Sequence, residues 1–599
     1  MPIQCGTSSS TLGQEIAFCK TLILSQSKIF NCENRTINKR EELFCWEILN
    51  LMGIDSYKRI NLDDKKSFRR ICLSLFLLIF LGNLIFYQND LAKAPADSPH
   101  TWLTGSTVKF VQNWLENGAG TLGYRMYEWP ASIESPVPDM GLYVSYPSGC
   151  LIPIYCIAKI GTLIKGSPLS TDSLVVIVKV YSLFLKSIIA LCLFGILFLF
   201  FKKHTSKVNA FIMGCIGILF FHSFNFSNYY HCNVYFSDQA VLVFFAISIL
   251  LEIIRNNSDS DTRKKRLNVA ILIVNTLGAF TDWLFFFYIF VIFIQRVISG
   301  DFGKFGSIKF FLKAAVFSLP IVIVAATFLL QILSVTDFRN LIFKFKFRTT
   351  DYHELGQNPL AKYYRHITRG YGFFAGYLFF ISLFFYLYKV VQTIRAGKRD
   401  YFVDFYSILL LPCLFQILFF SAHSAQHEFS MVKLELPIAF FMMTFPFEIA
   451  KIIKKETVSS EIFSSVYVKN KQRPFFFIYL ALFLLVVNIA VSAPAYYKIG
   501  KDYHYKNECF VREHVTYNDV VFSLDYEMFG FPPKIAYSRK CVYKIDNLQQ
   551  IDTFAKRRNL HNANYLVFTA KNSEFNYSSS MKLLAIDGEK ALYLYKKSK

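Results

Sequence analysis

Four polar clusters in this 599-residue chain hold residue types that can do chemistry. The first is acidic. Asp97 is followed by His100 and then by Glu128, Glu134 and Asp139. Glu128, Glu134 and Asp139 compete with Asp97 as acids in the same segment. Asp97–Ser98 also precedes the periodic stretch Thr101–Gly118, so Asp97 could equally do no more than cap a helix. The second is Asp238, which closes the Asn-, Tyr- and His-rich segment His222–Asp238. An acid at the start of an apolar run is either a solvated end residue or a side chain aimed into a cavity at the membrane surface. The third is Ser334–Gly370, with Arg339, Lys344, Lys346, Arg348, Lys362, Arg365 and Arg369. Lys344, Lys346 and Arg348 alternate with Phe345 and Phe347. In an extended segment the three cations share one face and the two rings the other. Such a surface could hold a lipid phosphate, and simple adhesion to anionic head groups is the plainer alternative. The fourth is Ser421–Lys433, with His423, His427, Glu428 and Lys433. His residues at i and i+4 on a helix can ligate metal, and they can also serve as ordinary hydrogen-bonding residues.

The elements that must position these groups are membrane spans. The chain is 53% hydrophobic and only 18% charged. Its mean hydropathy is +0.34, with the apolar residues gathered in long runs. Runs of about 20 residues match the hydrocarbon thickness for a helix. A closed barrel would alternate instead, and these runs do not. The fold class expected is an α-helical polytopic membrane protein. The net charge of +23 does not point to nucleic acid, because each basic cluster flanks an apolar run. Lys and Arg collect in the cytoplasmic loops of membrane proteins, and that alone makes such chains basic. The 13 Cys are scattered, without a CxxC or a Cys/His cluster, which argues against a zinc site. Cys509 and Cys541 could pair if the C-terminal tail lies in an oxidising compartment.

Charge sets the threading. Residues 1–70 lack the early apolar core of a signal peptide and read as a cytoplasmic extension. Ile71–Tyr87 is the first span, held by Lys65, Lys66, Arg69 and Arg70 inside. Cys150–Ile164 is short and interrupted by Pro153 and Lys159. If it crossed, the cluster Lys202, Lys203 and Lys207 would fall outside, so it is read as a helix on the outer face. The remaining spans are Leu174–Phe201, Ala210–Phe221, Gln239–Ile254, Leu267–Phe280, Leu284–Ile298, Phe310–Leu333, Tyr371–Val391, Phe402–Phe420, Leu434–Ile453 and Pro474–Val491. That makes about eleven, within a membrane domain of residues 71–491 whose large outer loops are 88–173, 222–238 and 334–370. Thr101–Gly118, with Trp102, Phe110, Val111 and Trp114 at helical spacing, reads as a helix lying in the membrane interface. Residues 492–599 form a small extracytoplasmic α/β domain, with strands at Val520–Asp525 and Tyr565–Thr569 and a helix at Leu548–Arg558.

The order of these features carries a resemblance. An acid in the first outer loop precedes a helix ending in Trp114–Gly118. A Tyr-Pro-x-Gly turn, Tyr146–Gly149, enters the half-buried helix. A second acid lies in Ser237–Asp238–Gln239, and a Thr-Asp-Trp turn in Thr281–Trp283. Over roughly residues 70–599 the chain resembles the GT-C superfamily of membrane glycosyltransferases, of the protein O-mannosyltransferase and aminoarabinose-transferase type. It departs from many members in carrying Asp97–Ser98 where they have Asp-Glu, and Pro147–Ser148 where they have Pro-Pro. The resemblance implies a polyprenyl-phosphate-linked sugar donor, a lipid, glycan or protein acceptor, and inversion at the anomeric carbon. It implies Asp97 as general base, with Asp238 assisting or orienting the acceptor. Lys344, Lys346, Arg348 and Arg369 are the candidates for the donor phosphate by charge and position. His100, Glu128, Tyr146, Asp282, His427 and Glu428 are candidates for the acceptor or donor pocket. No cofactor follows from the residues, and a divalent cation is left open. The expected setting is a bacterial inner membrane, with the site on the extracytoplasmic side. A polysaccharide polymerase or ligase shares the large basic outer loop but not the early acid and Pro turn. A lipid or sugar transporter would favour ionisable residues inside the spans, which look few here. A scaffold that has lost activity is the remaining alternative.

Overall fold

The computed structural model describes residues 65–95, 99–130, 141–335, 338–350, 358–457, 473–492, 505–516, 519–524, 532–540, 542–558, 564–570, 581–588 and 590–595. Asp97, Glu134, Asp139 and Cys541 lie outside them, as do nearly all of residues 1–70.

A helix stands at each expected span. Eight helices among the described residues are long and apolar enough to cross a membrane, or nine if the helices Lys207–Ser223 and Asn225–Asn233, bent by 68°, count as one span. The chain is an integral membrane protein. The eight include Ser148–Lys165, expected on the outer face, and omit four expected spans, one of which, Ala210–Phe221, belongs to the bent pair. Asp261–Ala279 begins with the basic run Arg263–Arg266, which lowers its mean hydropathy. Leu284–Ile298 has only 15 residues, and of the helix Arg473–Ser492 only the side chains of Ile478–Ala490 are described.

The longest helix, Thr171–Lys202, shows why the bundle tolerates polar residues. Ser170 caps it by accepting from Ser173 N at 3.2 Å. At about 1.5 Å per residue it exceeds the hydrocarbon thickness. Its two internal lysines turn inward. Lys179 Nζ donates to Asp90 O (2.6 Å) and Lys93 O (2.8 Å), and Lys186 Nζ to Asn228 Oδ1 (3.2 Å) and Tyr87 OH (3.3 Å). His231 and Glu435 meet at 3.0 Å with both side chains fully buried. Ionisable groups inside the bundle are therefore more numerous than the sequence suggested, and they are partnered, as burial demands.

The Trp102–Asn117 helix does not present an apolar face to lipid. Leu103 through Trp114 are all buried. Thr104 and Thr107 hydroxyls donate to Asn233 O and Tyr235 O, both at 2.9 Å. On its other side lies the C-terminal domain. A Cβ on Gly105 would stand 2.5 Å from Pro533 Cγ, so only glycine allows that approach. Arg539 ties the two together through Glu116 Oε1 (2.9 Å) and Asn113 Oδ1 (3.0 Å).

The C-terminal domain is a five-stranded mixed sheet in the order β2-β1-β3-β5-β4, with β1 Asp519–Ser523, β2 Val542–Lys544, β3 Asn564–Ala570, β4 Met581–Asp587 and β5 Lys590–Tyr595. Successive side chains leave opposite faces of a strand. Val521 and Leu566 accordingly pack with Phe510 and Val511 of the Lys506–His514 helix. Val520, Phe522 and Val567 pack with Ile551 and Ala555 of the Gln549–Arg558 helix.

Candidate active site

Asp238 sits in the first turn of the Ser237–Asn256 helix. Gln239 Oε1 fixes that start by accepting from Phe236 N at 3.2 Å. Asp282 lies in the turn between the helices Asp261–Ala279 and Leu284–Ile298. Its Oδ1 accepts from Leu284 N (2.8 Å) and from Gln416 Nε2 (2.7 Å). Between the two acids stands Lys433, from the 3-10 turn Glu428–Leu434. Its Nζ is 2.6 Å from Asp238 Oδ1 and 3.4 Å from Asp282 Oδ1, with side-chain exposures of 2%, 0% and 0%. The second carboxylate oxygens, Oδ2 of Asp238 and of Asp282, have no hydrogen-bond partner among the described residues. One ammonium thus neutralises part of two buried carboxylates.

The Tyr146–Gly149 turn is clamped onto the Asp282 turn. Trp283 Nε1 donates to Ser145 O at 2.8 Å, and Gly149 N to Phe280 O at 2.9 Å. A Cβ at residue 149 would lie 2.3 Å from that same carbonyl oxygen, which is why glycine stands there. The clamp delivers Tyr146 to the acids. The Arg348 guanidinium lies over the Tyr146 ring, 4.7 Å from its centroid, beside the Tyr146 and Tyr143 phenols. Burial pushes the Tyr143 phenol up to about 12, so it remains a neutral donor.

An imidazole series leads from Tyr146 to a second polar cluster. Tyr146 OH and His423 Nε2 are 3.3 Å apart. The His423 and His427 rings lie 4.6 Å apart, and His427 and His100 5.8 Å. Beside them Glu428 Oε1 accepts from Tyr230 OH at 2.9 Å, while its Oε2 faces His366 Nδ1 at 3.8 Å and Arg369 Nη1 at 3.9 Å.

Asp238, Asp282, Tyr146 and Arg348 are thus assembled in one cluster, and Glu428, His427, His100 and Arg369 in its neighbour. Three expectations need correction. Lys344, Lys346 and Arg348 lie in the helix Phe338–Thr350, not in an extended segment, and Lys344 and Lys346 are exposed. Glu128 is not drawn in: its backbone N bonds to Gly141 O at 2.6 Å, and its carboxylate has no ion pair among the described residues. His423 and His427 do not share a helical face, because the helix Ser421–Gln426 ends before His427 (φ −120°, ψ 103°). Among the described residues no group of three or more His, Cys, Asp or Glu is placed to hold a metal ion. Asp97 is outside the described residues, but the chain on both sides of it is anchored. Tyr229 OH donates to Pro99 O at 2.8 Å, and Tyr505 OH to Pro95 O.

Sequence reasoning missed Tyr143, Tyr230, His366 and Gln416, and treated Lys433 as one cation among several. Gln416 carried a usable signal, being a lone amide within the apolar run Phe402–Phe420.

Burial holds His100 down to about 4 and His427 down to about 3, so both are neutral near pH 7. A histidine whose folded pKa is depressed binds fewer protons folded than unfolded. Its stabilising contribution is complete above about pH 6.5 and is lost as pH falls towards the folded value. Thermal unfolding in detergent is therefore expected to show a midpoint that drops between pH 7 and pH 4. The drop should be shallower in a His100→Gln/His427→Gln variant, and an equal slope in both would contradict the assignment.

No family model and no curated protein matches the chain. Among solved structures it is similar to ArnT from Cupriavidus metallidurans bound to undecaprenyl phosphate, with 11% identity over 89% of this chain and 98% of that one and a TM-score of 0.47. It is similar to the same protein in the apo state, at 10% identity over 88% and 98% of the two chains and a TM-score of 0.44. It is also similar to the Archaeoglobus fulgidus oligosaccharyltransferase in complex with Zn and sulfate, at 12% identity over 83% of this chain and 68% of that one, with a TM-score of 0.39.

Proposed function

We propose that this protein is a GT-C-type glycosyltransferase, moving a sugar from a polyprenyl-phosphate-linked donor to an acceptor on the outer side of the membrane with inversion. One observation carries the reading. Asp238, Asp282, Tyr146, Arg348 and Lys433 come from five separate segments, yet they meet in one cluster of acids and cations. Sugar transfer from a phosphate needs both kinds of group. The acceptor oxygen attacks the anomeric carbon and its proton passes to a carboxylate. The bond from that carbon to the phosphate oxygen breaks, and its electron pair stays on the phosphate. Arg348, with Arg369 beside Glu428, is the cation for that phosphate. Asp97 is the base. Asp238 is a poorer base, because it is fully buried and ion-paired to Lys433. Its role is to hold Lys433. In this reading residues 1–70 lie on the cytoplasmic side and residues 492–599 outside.

The test is transfer of radiolabelled sugar from a panel of polyprenyl-phosphate sugars in proteoliposomes, with undecaprenyl carriers first. Wild type is expected to transfer, and Asp97→Asn, inserted and folded as shown by an unchanged unfolding midpoint, is expected to lose transfer by about 100-fold or more. Transfer that survives in Asp97→Asn would move the base elsewhere. Absence of transfer from every donor would count against the enzyme.

A second reading, a transporter of lipid-linked sugar, is favoured by the buried His231–Glu435 pair and by Lys186 within the bundle. It requires movement of labelled lipid across the bilayer without sugar transfer.

A further inference from the structure

The helix that presents Asp238 carries a second set of charges at its far end. Glu252 and Arg255 are 14 and 17 residues further on, about 21 and 25 Å along the axis. They open onto a cavity of about 370 Å³ at the opposite end of the bundle from the acid–lysine cluster. Five cations and three carboxylates line it, together with the Tyr401 ring and apolar walls.

The carboxylates are all taken. Arg296 Nη2 meets Glu252 Oε1 at 2.5 Å, Arg255 Nη1 meets Asp301 Oδ2 at 2.8 Å, and Arg399 Nε meets Asp404 Oδ2 at 3.1 Å. Asn268 Oδ1 holds the first two arginines in register, accepting from Arg255 Nε at 2.7 Å and Arg296 Nη1 at 3.3 Å. The other two cations, Lys203 and Lys264, have no carboxylate partner among the described residues. Lys203 Nζ instead rests over the Tyr401 ring, 3.9 Å from its centroid. The buried Arg296 Nε has no hydrogen-bond partner among the described residues. A cavity with two surplus positive charges and an unpartnered buried donor suits an anion. Basic residues alone would be expected at a cytoplasmic membrane edge. The cavity and the Asn268 bracket are not explained by that rule.

We propose that this cavity is a binding site for a phosphate-bearing anion, separate from the candidate active site, with Lys203 and Lys264 as its free cations. The same chemistry is offered by an anionic lipid head group and by a soluble diphosphate. Cavities of this size take small ligands or head groups.

The test uses the full chain purified in detergent, where both ends of the bundle are accessible. Binding of pyrophosphate and of short-chain phosphatidylglycerol is measured by native mass spectrometry and by the shift in unfolding midpoint. A Lys203→Gln/Lys264→Gln variant is compared with wild type and with Lys344→Gln/Lys346→Gln, which removes two exposed cations elsewhere. At least one probe is expected to bind wild type and the control alike, and to bind the Lys203/Lys264 variant about tenfold more weakly or less. Loss of the lipid alone identifies a head-group site, and loss of pyrophosphate alone identifies a soluble ligand. Equal binding to all three proteins, or no binding of either probe to wild type, overturns the proposal.

Discussion

Replacing Lys433 by methionine is expected to abolish transfer and to lower the unfolding free energy by about 3–5 kcal/mol, the usual penalty for breaking a buried ion pair by removing one partner. Methionine keeps the length and most of the volume of the lysine stem, so packing changes little. What changes is charge. Asp238 and Asp282 are both fully buried, and Lys433 Nζ is the cation within 2.6 and 3.4 Å of them. Without it two carboxylates face one buried site. Gln416 Nε2 and Leu284 N still serve Asp282, but Asp238 Oδ2 already lacks a partner among the described residues.

The double variant Lys433→Met/Asp238→Asn separates the two effects. An asparagine carries no charge, so most of the lost stability should return, and the coupling between the two positions should be positive and large. Transfer should not return, because the cluster then lacks the ammonium. Thermal and denaturant unfolding in detergent read the first quantity, and labelled-sugar transfer the second. If Lys433→Met unfolds like wild type, the Lys433–Asp238 ion pair does not hold the cluster together. Lys433→Arg is expected to be nearly as damaging as Lys433→Met, because a planar guanidinium does not fit a space filled by one ammonium between two carboxylates.

Much of this arrangement was legible before the structure, and the reason is local. Helix positions follow from apolar runs, and the alternating strand residues Val520, Val521 and Phe522 fall on opposite faces as their spacing requires. The motifs Tyr146–Gly149 and Thr281–Trp283 were each visible, but not that one docks on the other through Trp283 Nε1 and Ser145 O. Pairings between distant segments leave no trace in a single sequence, and Asp238 with Lys433 is of that kind. The Trp102–Asn117 helix shows a different limit. Its apolar periodicity requires cover, but periodicity does not distinguish lipid from Pro533 and the C-terminal domain. Lys344, Phe345, Lys346, Phe347 and Arg348 alternate as a strand would, yet they form a helix. Five residues are too short a window for alternation to outweigh the helix-compatible residues on either side.

That helix decides the second large effect. At 100° per residue, Lys344 and Arg348 lie on one side and Lys346 lies nearly opposite. Phe345 anchors the helix against Phe419 and Phe420, at ring-centroid distances of 5.8 and 6.2 Å, and Ser421 Oγ donates to Thr349 O at 3.1 Å. Of the three cations only Arg348 then lies beside the Tyr143 and Tyr146 phenols. Arg348→Ala is expected to lower kcat/KM for the donor by about 100-fold or more, the scale on which losing one preorganised charge donor acts. Lys344→Ala and Lys346→Ala should each stay within about threefold of wild type, since exposed charges contribute little. Arg348→Lys should recover only part of the loss, because an ammonium cannot lie flat over the ring as a planar guanidinium can. Steady-state kinetics with a labelled donor in proteoliposomes separate these cases. The opposite pattern, with the two lysines mattering and Arg348 not, would make this helix an adhesive surface for anionic head groups. The salt dependence would agree, because exposed cations are screened at high ionic strength whereas a half-buried guanidinium over a tyrosine ring is screened far less.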